Sequence, residues 1–310
     1  MGRLIDGKWI ETSIVTSDQK GSYARLKRTF LDQISTTSTK FKPESNRYHL
    51  YVSLACPWAH RTLIYRELKE LTNHISVSVV HPDMLENGWA FDNSFDGATI
   101  DHANNSKFLY QNYQIAQSDV TTSVTVPVLW DKKTSTIVNN ESSEIIRMFN
   151  TTFNNLTGNN LDFYPKHLRA EIDYFNNLIY EPINNGVYKC GFAQNQHAYD
   201  SAIEDLFKSL DLIDKHLEGK NFLVGEVLTE ADIRLLPTLL RFDLVYFTHF
   251  KCNVRRIKDY PNLNRYTKNL YQLKAFKETT NFEHIKRHYY FSHEMINPYR
   301  IIPKGPEEIF

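Results

Sequence analysis

The feature that most restricts this chain is an extended-favouring run that ends on a cysteine and a proline. Tyr48 to Ser53 (Tyr-His-Leu-Tyr-Val-Ser) reads as a strand and Leu54-Ala55-Cys56-Pro57 as a turn. Pro57 suits the first turn of a helix, where its missing N–H costs nothing. That helix runs to about Leu71, and Ile75 to Val80, β-branched and apolar at alternate positions, reads as a second strand. Strand, helix, strand favours a parallel crossover. It also sets Cys56 at a helix N-terminus, where the dipole and the N–H groups favour a thiolate, the nucleophilic form of the side chain. The alternative, an inert buried cysteine, is outweighed by this context.

The pattern continues as a mixed α/β domain followed by an all-helical one. Residues 1–46 are polar, rich in Ser, Thr and Lys, and read as an extension that wraps the surface or is partly mobile. After a long polar excursion from about Pro82 to Ser123, Val124 to Trp130 reads as a strand and Ile137 to Asn139 as its hairpin partner. Ser142 to about Phe153 has helical spacing, as do His167 to Tyr180, Ser201 to Leu217, Glu230 to about Thr248 and Leu263 to Phe276. Thr229 and Asp232 are placed to form a capping box. The expected division is an extension over 1–46, an α/β domain over 47–157, a helical domain over 158–290 and a tail over 291–310.

Composition narrows the class. The chain has 310 residues, enough for about two domains. Lys plus Arg number 36 and Asp plus Glu 36, so net charge gives no case for nucleic acid or an anionic membrane as partner. Cys56, Cys190 and Cys252 are odd in number and far apart, which argues against a disulfide scaffold and for a reducing, cytoplasmic setting. No apolar signal core is visible, and no run approaches the ~20 apolar residues of a membrane helix. Asp6 stands where a myristoylation signal needs Ser or Thr, and the C-terminus is not a peroxisomal address.

Chemistry centres on Cys56. Position 59 is Ala59, so no Cys-x-x-Cys pair exists, and a disulfide formed by Cys56 needs an outside thiol such as glutathione to resolve it. Val126-Pro127 is a candidate cis bond; its Val126 backbone would then pair with an extended peptide ligand, as in β-augmentation. Glu141-Ser142 opens a helix, a natural carboxylate site: Ser142 and a helix N–H can hold the α-carboxylate of a γ-glutamyl group, and Glu141 can pair with its ammonium. From spacing alone, plain helix capping outweighs that role. His60, one turn past Cys56, reads as a packing residue. His249 and Cys252 are close in sequence, but no second ligand pair completes a metal site.

Together these elements resemble the glutathione transferases of the thioredoxin-like plus helical type, and more narrowly their xi class, the glutathionyl-hydroquinone reductases. The resemblance runs from about Arg47 to Pro306. It is carried by Cys56-Pro57-Trp58-Ala59-His60-Arg61-Thr62, Gly88-Trp89, Thr125-Val126-Pro127-Val128-Leu129-Trp130-Asp131 and Asn140-Glu141-Ser142-Ser143. In the helical half it is carried by Asn184-Asn185-Gly186-Val187-Tyr188-Lys189, Thr229-Glu230-Ala231-Asp232-Ile233-Arg234, Arg241-Phe242-Asp243-Leu244-Val245-Tyr246 and His288-Tyr289-Tyr290.

The resemblance implies Cys56 as nucleophile; Trp89, Val126, Glu141 and Ser142 as glutathione contacts; and Tyr188, Tyr246 and Tyr289 as the acceptor pocket. Three phenols suit a hydroquinone, since rings stack and hydroxyls bond to its oxygens. It implies glutathione as co-substrate, no metal, and a homodimer acting on quinol conjugates. Two alternatives share the fold: an omega-like thioltransferase or dehydroascorbate reductase, and a non-catalytic binding module. One position departs from the pattern. The family often has Arg just before its Val-Thr-Val-Pro strand, where this chain has Ser123 or a shifted register, so that a cationic contact to glutathione is either missing or replaced, with Lys107 and Lys132 as the candidate replacements.

Overall fold

The structure, a computed structural model, describes residues 2–12, 21–23 and 28–308. The chain opens on an antiparallel hairpin, β1 (Gly2–Ile5) and β2 (Lys8–Glu11). The extension read over 1–46 begins with this hairpin; its residues 1, 13–20 and 24–27 lie outside the described residues. The Asp6-Gly7 turn makes the hairpin: both residues have positive φ (47° and 72°), as a two-residue primed turn demands. Gly7 is also held by space, because a Cβ there would lie 1.8 Å from the Ser118 carbonyl oxygen.

The central sheet has the order β4-β3-β5-β6, with β3 (Tyr48–Val52), β4 (Ser76–Val79), β5 (Val128–Asp131) and β6 (Thr136–Asn139). β3 and β4 are parallel and joined by helix α1 (Pro57–Leu68), the crossover expected from sequence. β5 and β6 run antiparallel, so the sheet is mixed. β3 is buried at every position, and its partners on both sides explain why it lacks polar alternation. His49 lies on this buried strand. Its two ring nitrogens meet Ser76 Oγ at 2.7 Å and Ser78 Oγ at 2.9 Å on β4. Burial, opposed in part by the Asp101 carboxylate, lowers its pKa to about 4.

The polar excursion holds a helix that periodicity did not reveal, α2 (Leu109–Ala116). Its amphipathic signal is confined to Leu109 and Tyr113, both fully buried. The loop before it is organised by Asp101, whose carboxylate accepts from Tyr51 Oη at 2.9 Å and from the backbone N–H of Ala103 and Asn104. Helix α3 (Ser142–Thr151) follows β6, and the short α4 (Asn154–Thr157) follows it.

The remaining elements are helical: α5 (Arg169–Ile179), α6 (Gly186–Gly191), α7 (Gln196–His216), α8 (Glu230–Arg241), α9 (Pro261–Tyr271), α10 (Lys274–Thr279) and α11 (Phe282–Ser292). The capping box of α8 forms, with Asp232 Oδ2 accepting from Thr229 N at 2.8 Å and Thr229 Oγ1 at 3.0 Å. The single helix expected to about Thr248 instead passes into a π-helical turn at Phe242–Tyr246, closed by Phe247 N donating to Phe242 O at 2.8 Å. A like turn at Tyr180–Asn184 follows α5. Such turns carry an extra residue and re-aim the side chains after them. The helix read over Leu263 to Phe276 is two, α9 and α10. Of the described residues, 2–12, 28–162 and 279–288 form one compact unit, and 21–23, 163–278 and 289–308 form another.

His49 gives a pH test. Its pKa in the fold is about 4, against about 6.5 in an unfolded chain, so the unfolded state binds the extra proton between those values. Its contribution is complete above pH 6.5 and is lost as pH falls toward 4, by about 3 kcal/mol in all. Urea unfolding of wild type and His49→Gln from pH 7.5 to 4.5 should show the steeper loss in wild type; parallel curves would show that His49 does not carry the effect.

Candidate functional site

Cys56 is the N-cap residue of α1, with extended backbone (φ −79°, ψ 122°) and Pro57 at the first helical position. Strand β3 delivers the chain, and a turn closed by Cys56 N donating to Ser53 O at 3.1 Å aims it into the helix. Cys56 is half-buried, whereas Cys190 and Cys252 are buried. Cys56 Sγ lies 3.6 Å from the carbonyl oxygen of Val126. The Val126-Pro127 bond is cis, as the sequence reading anticipated. The cysteine and the segment before β5 are therefore neighbours although 70 residues separate them in the chain.

A hydroxyl links that segment to the start of α3. Tyr113 Oη, on α2, donates to Thr125 O at 2.9 Å and accepts from Asn140 Nδ2 at 3.2 Å. Tyr113 and Asn140 are positioning residues that sequence reasoning missed, because α2 itself was not legible. Glu141 caps α3: its Oε1 accepts from Ser143 N at 3.1 Å and lies 3.3 Å from Ser142 Oγ. The capping role set against ligand binding in the sequence is thus occupied, and it aims the Glu141 carboxylate at the helix N-terminus. Its other oxygen, Oε2, lies 3.9 Å from Arg28 Nε.

Trp89 belongs to the same compact unit. It is buried, and its ring stacks on His288 with centroids 4.8 Å apart and planes at 27°. His288 Nδ1 lies 2.8 Å from the Pro82 carbonyl oxygen, which can only accept, so the proton sits on Nδ1 and the ring is held flat against the indole. His60, buried, is engaged by Thr279 Oγ1 at 3.0 Å, which fits the packing role read from sequence.

The other unit brings Tyr188, Tyr246 and Tyr289 together. Tyr289 Oη lies at the centre, 2.5 Å from Tyr188 Oη and 2.9 Å from Tyr246 Oη. Tyr188 comes from α6, Tyr246 ends the π-helical turn after α8, and Tyr289 comes from α11. Burial, with Tyr246 beside it, pushes the Tyr289 hydroxyl well above the usual tyrosine range, so it remains a donor. Three hydroxyls hold three protons and two are used within the triad, so at most one can be given outward. Tyr246 Oη and Tyr289 Oη are buried while Tyr188 is half-buried, which makes Tyr188 the outer member. Burial, and the neighbouring Cys190, push the Cys252 thiol well up, so it stays protonated. Among the described residues no group of three or more His, Cys, Asp or Glu side chains could hold a metal ion, and no helix is long and apolar enough to cross a membrane.

Comparison with known proteins agrees with this geometry. The chain matches the family pattern "Glutathione S-transferase, N-terminal domain" over residues 55–152 and "Glutathione S-transferase, C-terminal domain" over residues 196–269. It is 52% identical to glutathionyl-hydroquinone reductase YqjG of Escherichia coli over 99% of this chain and 95% of that protein. It is 47% identical to glutathionyl-hydroquinone reductase PcpF of Sphingobium chlorophenolicum, over 99% and 97%. Among solved structures, the glutathione-S-transferase Xi of Phanerochaete chrysosporium superposes with a TM-score of 0.92 at 53% identity, covering 95% of this chain and 96% of that one. The glutathione-bound structure of YqjG gives 0.90 at 50% identity, over 99% and 96%.

The Tyr113 link is open to a direct test. Tyr113→Phe keeps the ring and leaves three polar groups, Thr125 O, Thr125 N and Asn140 Nδ2, without this partner. The expected loss of stability is about 1–3 kcal/mol by urea unfolding. A Tyr113→Phe protein as stable as wild type would mean that the hydroxyl does not tie these segments.

Proposed function

The chain belongs to the Xi class of the glutathione S-transferase family, and from that premise we propose that it is a glutathione-dependent oxidoreductase that reduces S-glutathionyl hydroquinones. The single observation that carries the reading is a lone, accessible cysteine at a helix N-terminus beside the Val126 carbonyl, with Ala59 where a resolving cysteine would stand. Such a site cannot close an internal disulfide and needs glutathione to turn over.

The reaction has two steps. The Cys56 thiolate attacks the sulfur of the glutathionyl hydroquinone; an S–S bond to Cys56 forms and the carbon–sulfur bond breaks. The ring is attacked as its keto tautomer, in which the sulfur-bearing carbon has taken a proton and the adjacent hydroxyl has given one up to become a carbonyl. The electron pair of the broken bond flows to that carbonyl oxygen, which takes up a proton and leaves a free hydroquinone. A second glutathione thiolate then attacks the mixed disulfide, which gives oxidised glutathione and restores Cys56. The conjugate is reduced by two electrons and two glutathionyl sulfurs are oxidised to one disulfide, so the balance closes.

We assign glutathione to residues 47–157, with Trp89, Val126, Glu141 and Ser142 as its contacts. The quinol is assigned to residues 158–290, with Tyr188, Tyr246 and Tyr289. Tyrosine hydroxyls donate to the quinol oxygen as it gains charge, and Tyr188, the outer member, is the natural donor. The reading includes a homodimer working in the cytoplasm; the dependence on a glutathione pool supports the compartment, and light scattering at twice the chain mass would test the assembly.

Turnover decides between this activity and an omega-like one. Glutathionyl hydroquinones should be reduced faster than dehydroascorbate or a generic disulfide; faster turnover of dehydroascorbate would make the omega-like reading the better one. Cys56→Ser should abolish the reaction, and mass spectrometry of wild type treated with conjugate alone should find one glutathione on Cys56. Cys190→Ser and Cys252→Ser should keep most of the activity.

Tyr188→Phe should slow quinol release by about 5- to 150-fold, the equivalent of ~1–3 kcal/mol for a charge-assisted hydrogen bond. A glutathionylated small thiol should be turned over at the wild-type rate by the same variant. Equal quinol rates for the Phe variants of all three tyrosines would remove them from the pocket.

A further inference from the structure

Residues 28–34 run along the end of β6 and the start of α3 and are fixed there on two sides. Thr29 Oγ1 meets Thr122 Oγ1 at 2.7 Å. Asn140 N donates to Phe30 O at 3.0 Å, Phe30 N donates to Asn140 Oδ1 at 3.4 Å, and Leu31 bridges Asn139. Farther on, Ile34 is buried with its N–H 3.1 Å from Met148 Sδ on α3. Arg28 is thereby held between two segments of the candidate glutathione site: one residue from the contact with Thr122, which precedes Ser123, and beside Glu141. Its side chain is only 11% exposed, and its Nε lies 3.9 Å from Glu141 Oε2.

The head group of a γ-glutamyl peptide carries an ammonium and a carboxylate on one carbon. A receptor for it needs an anion and a cation side by side. Glu141 provides the first, and Arg28 stands next to it with the second. The two lysines considered from sequence do not fill this role: the Lys107 ammonium lies 5.4 Å over the Phe108 ring, and Lys132 is exposed in the turn between β5 and β6. A guanidinium also matches a carboxylate with two parallel N–H donors, which an ammonium cannot do.

We propose that Arg28, delivered by the N-terminal strap, binds the γ-glutamyl α-carboxylate of glutathione and supplies the guanidinium that position 123 lacks in this chain. The proposal rests on the reading of Glu141 and Ser142 as glutathione contacts. The strap is then part of the substrate site and not only a cover over it, and Glu141 and Arg28 share one head group between them.

Calorimetry on the full chain tests it with two unreactive probes: S-methylglutathione and its analogue with 4-aminobutyrate in place of glutamate, which lacks only the α-carboxylate. Wild type should bind the second about 10- to 100-fold more weakly, as expected for a charged hydrogen-bonded pair. Arg28→Gln should lose most of that factor for S-methylglutathione and tell the probes apart clearly less than wild type does, the remainder being the hold of Ser142 and the helix N–H on the same carboxylate. Adding Ser123→Arg to Arg28→Gln should restore the discrimination. Wild type binding both probes equally overturns the proposal without any variant. An Arg28→Gln protein that is folded by circular dichroism and still discriminates as wild type does so too. An Arg28→Gln protein weakened equally toward both probes also overturns it, since Arg28 would then only position Glu141. Wild type that binds neither probe, while Cys56 still reacts with iodoacetamide, fails the underlying glutathione reading instead.

Discussion

The hydroxyl of Tyr113 joins the two segments that lie just beyond the end of the β5–β6 ladder, whose last pair is Leu129 and Asn139. Thr125, just before the cis Val126-Pro127 bond, and Asn140, just before α3, both depend on it. Cys56 in turn faces Val126, and Glu141 follows Asn140. A buried donor–acceptor thus adds to the β5–β6 pairing in fixing the spacing between Cys56 and the start of α3. Buried polar groups of this kind are costly to leave unpaired, which makes them effective at fixing one arrangement.

The tyrosine triad follows another logic. Its members come from α6, the end of a π-helical turn and α11, and two of these follow or end a departure from regular helix geometry. The turns at Tyr180–Asn184 and Phe242–Tyr246 each carry one residue more than an α-helical turn, which rotates the residues after them about the helix axis. Tyr289 shares its hydroxyl with both partners and is buried, so the outward hydrogen-bonding capacity of the group concentrates on the half-buried Tyr188. Such a group offers ring faces and hydroxyls without a charge that would have to be desolvated.

Much of the candidate site was legible in the sequence, for local reasons. The Cys-Pro pair after a strand, the proline before β5 and the helix start at Glu141 are all signals of a few residues, and the structure places each as read. Trp89 and the tyrosines came from family resemblance, not from spacing, since 18 Tyr offer no internal reason to choose three. Three other local signals are present but weak. Asp6-Gly7 is a hairpin turn pair. Leu109 and Tyr113 give α2 only one apolar contact line. Pro261 at the start of α9 and the break before Lys274 divide what periodicity alone ran together.

The sequence by itself determined the crossover around Cys56, the monothiol character of that site and the two-part division into a mixed sheet and a helical body. These follow from short-range rules: proline geometry, capping and hydrophobic period act within a turn or two. Tertiary structure alone decided that Tyr113 would hold Thr125 to Asn140, that His288 would lie under Trp89, and that Arg28 would stand beside Glu141. Those contacts join residues 12 to about 200 positions apart, and no local preference encodes which donor meets which acceptor. Only the packed chain, in which a buried polar group is costly to leave unpaired, selects them.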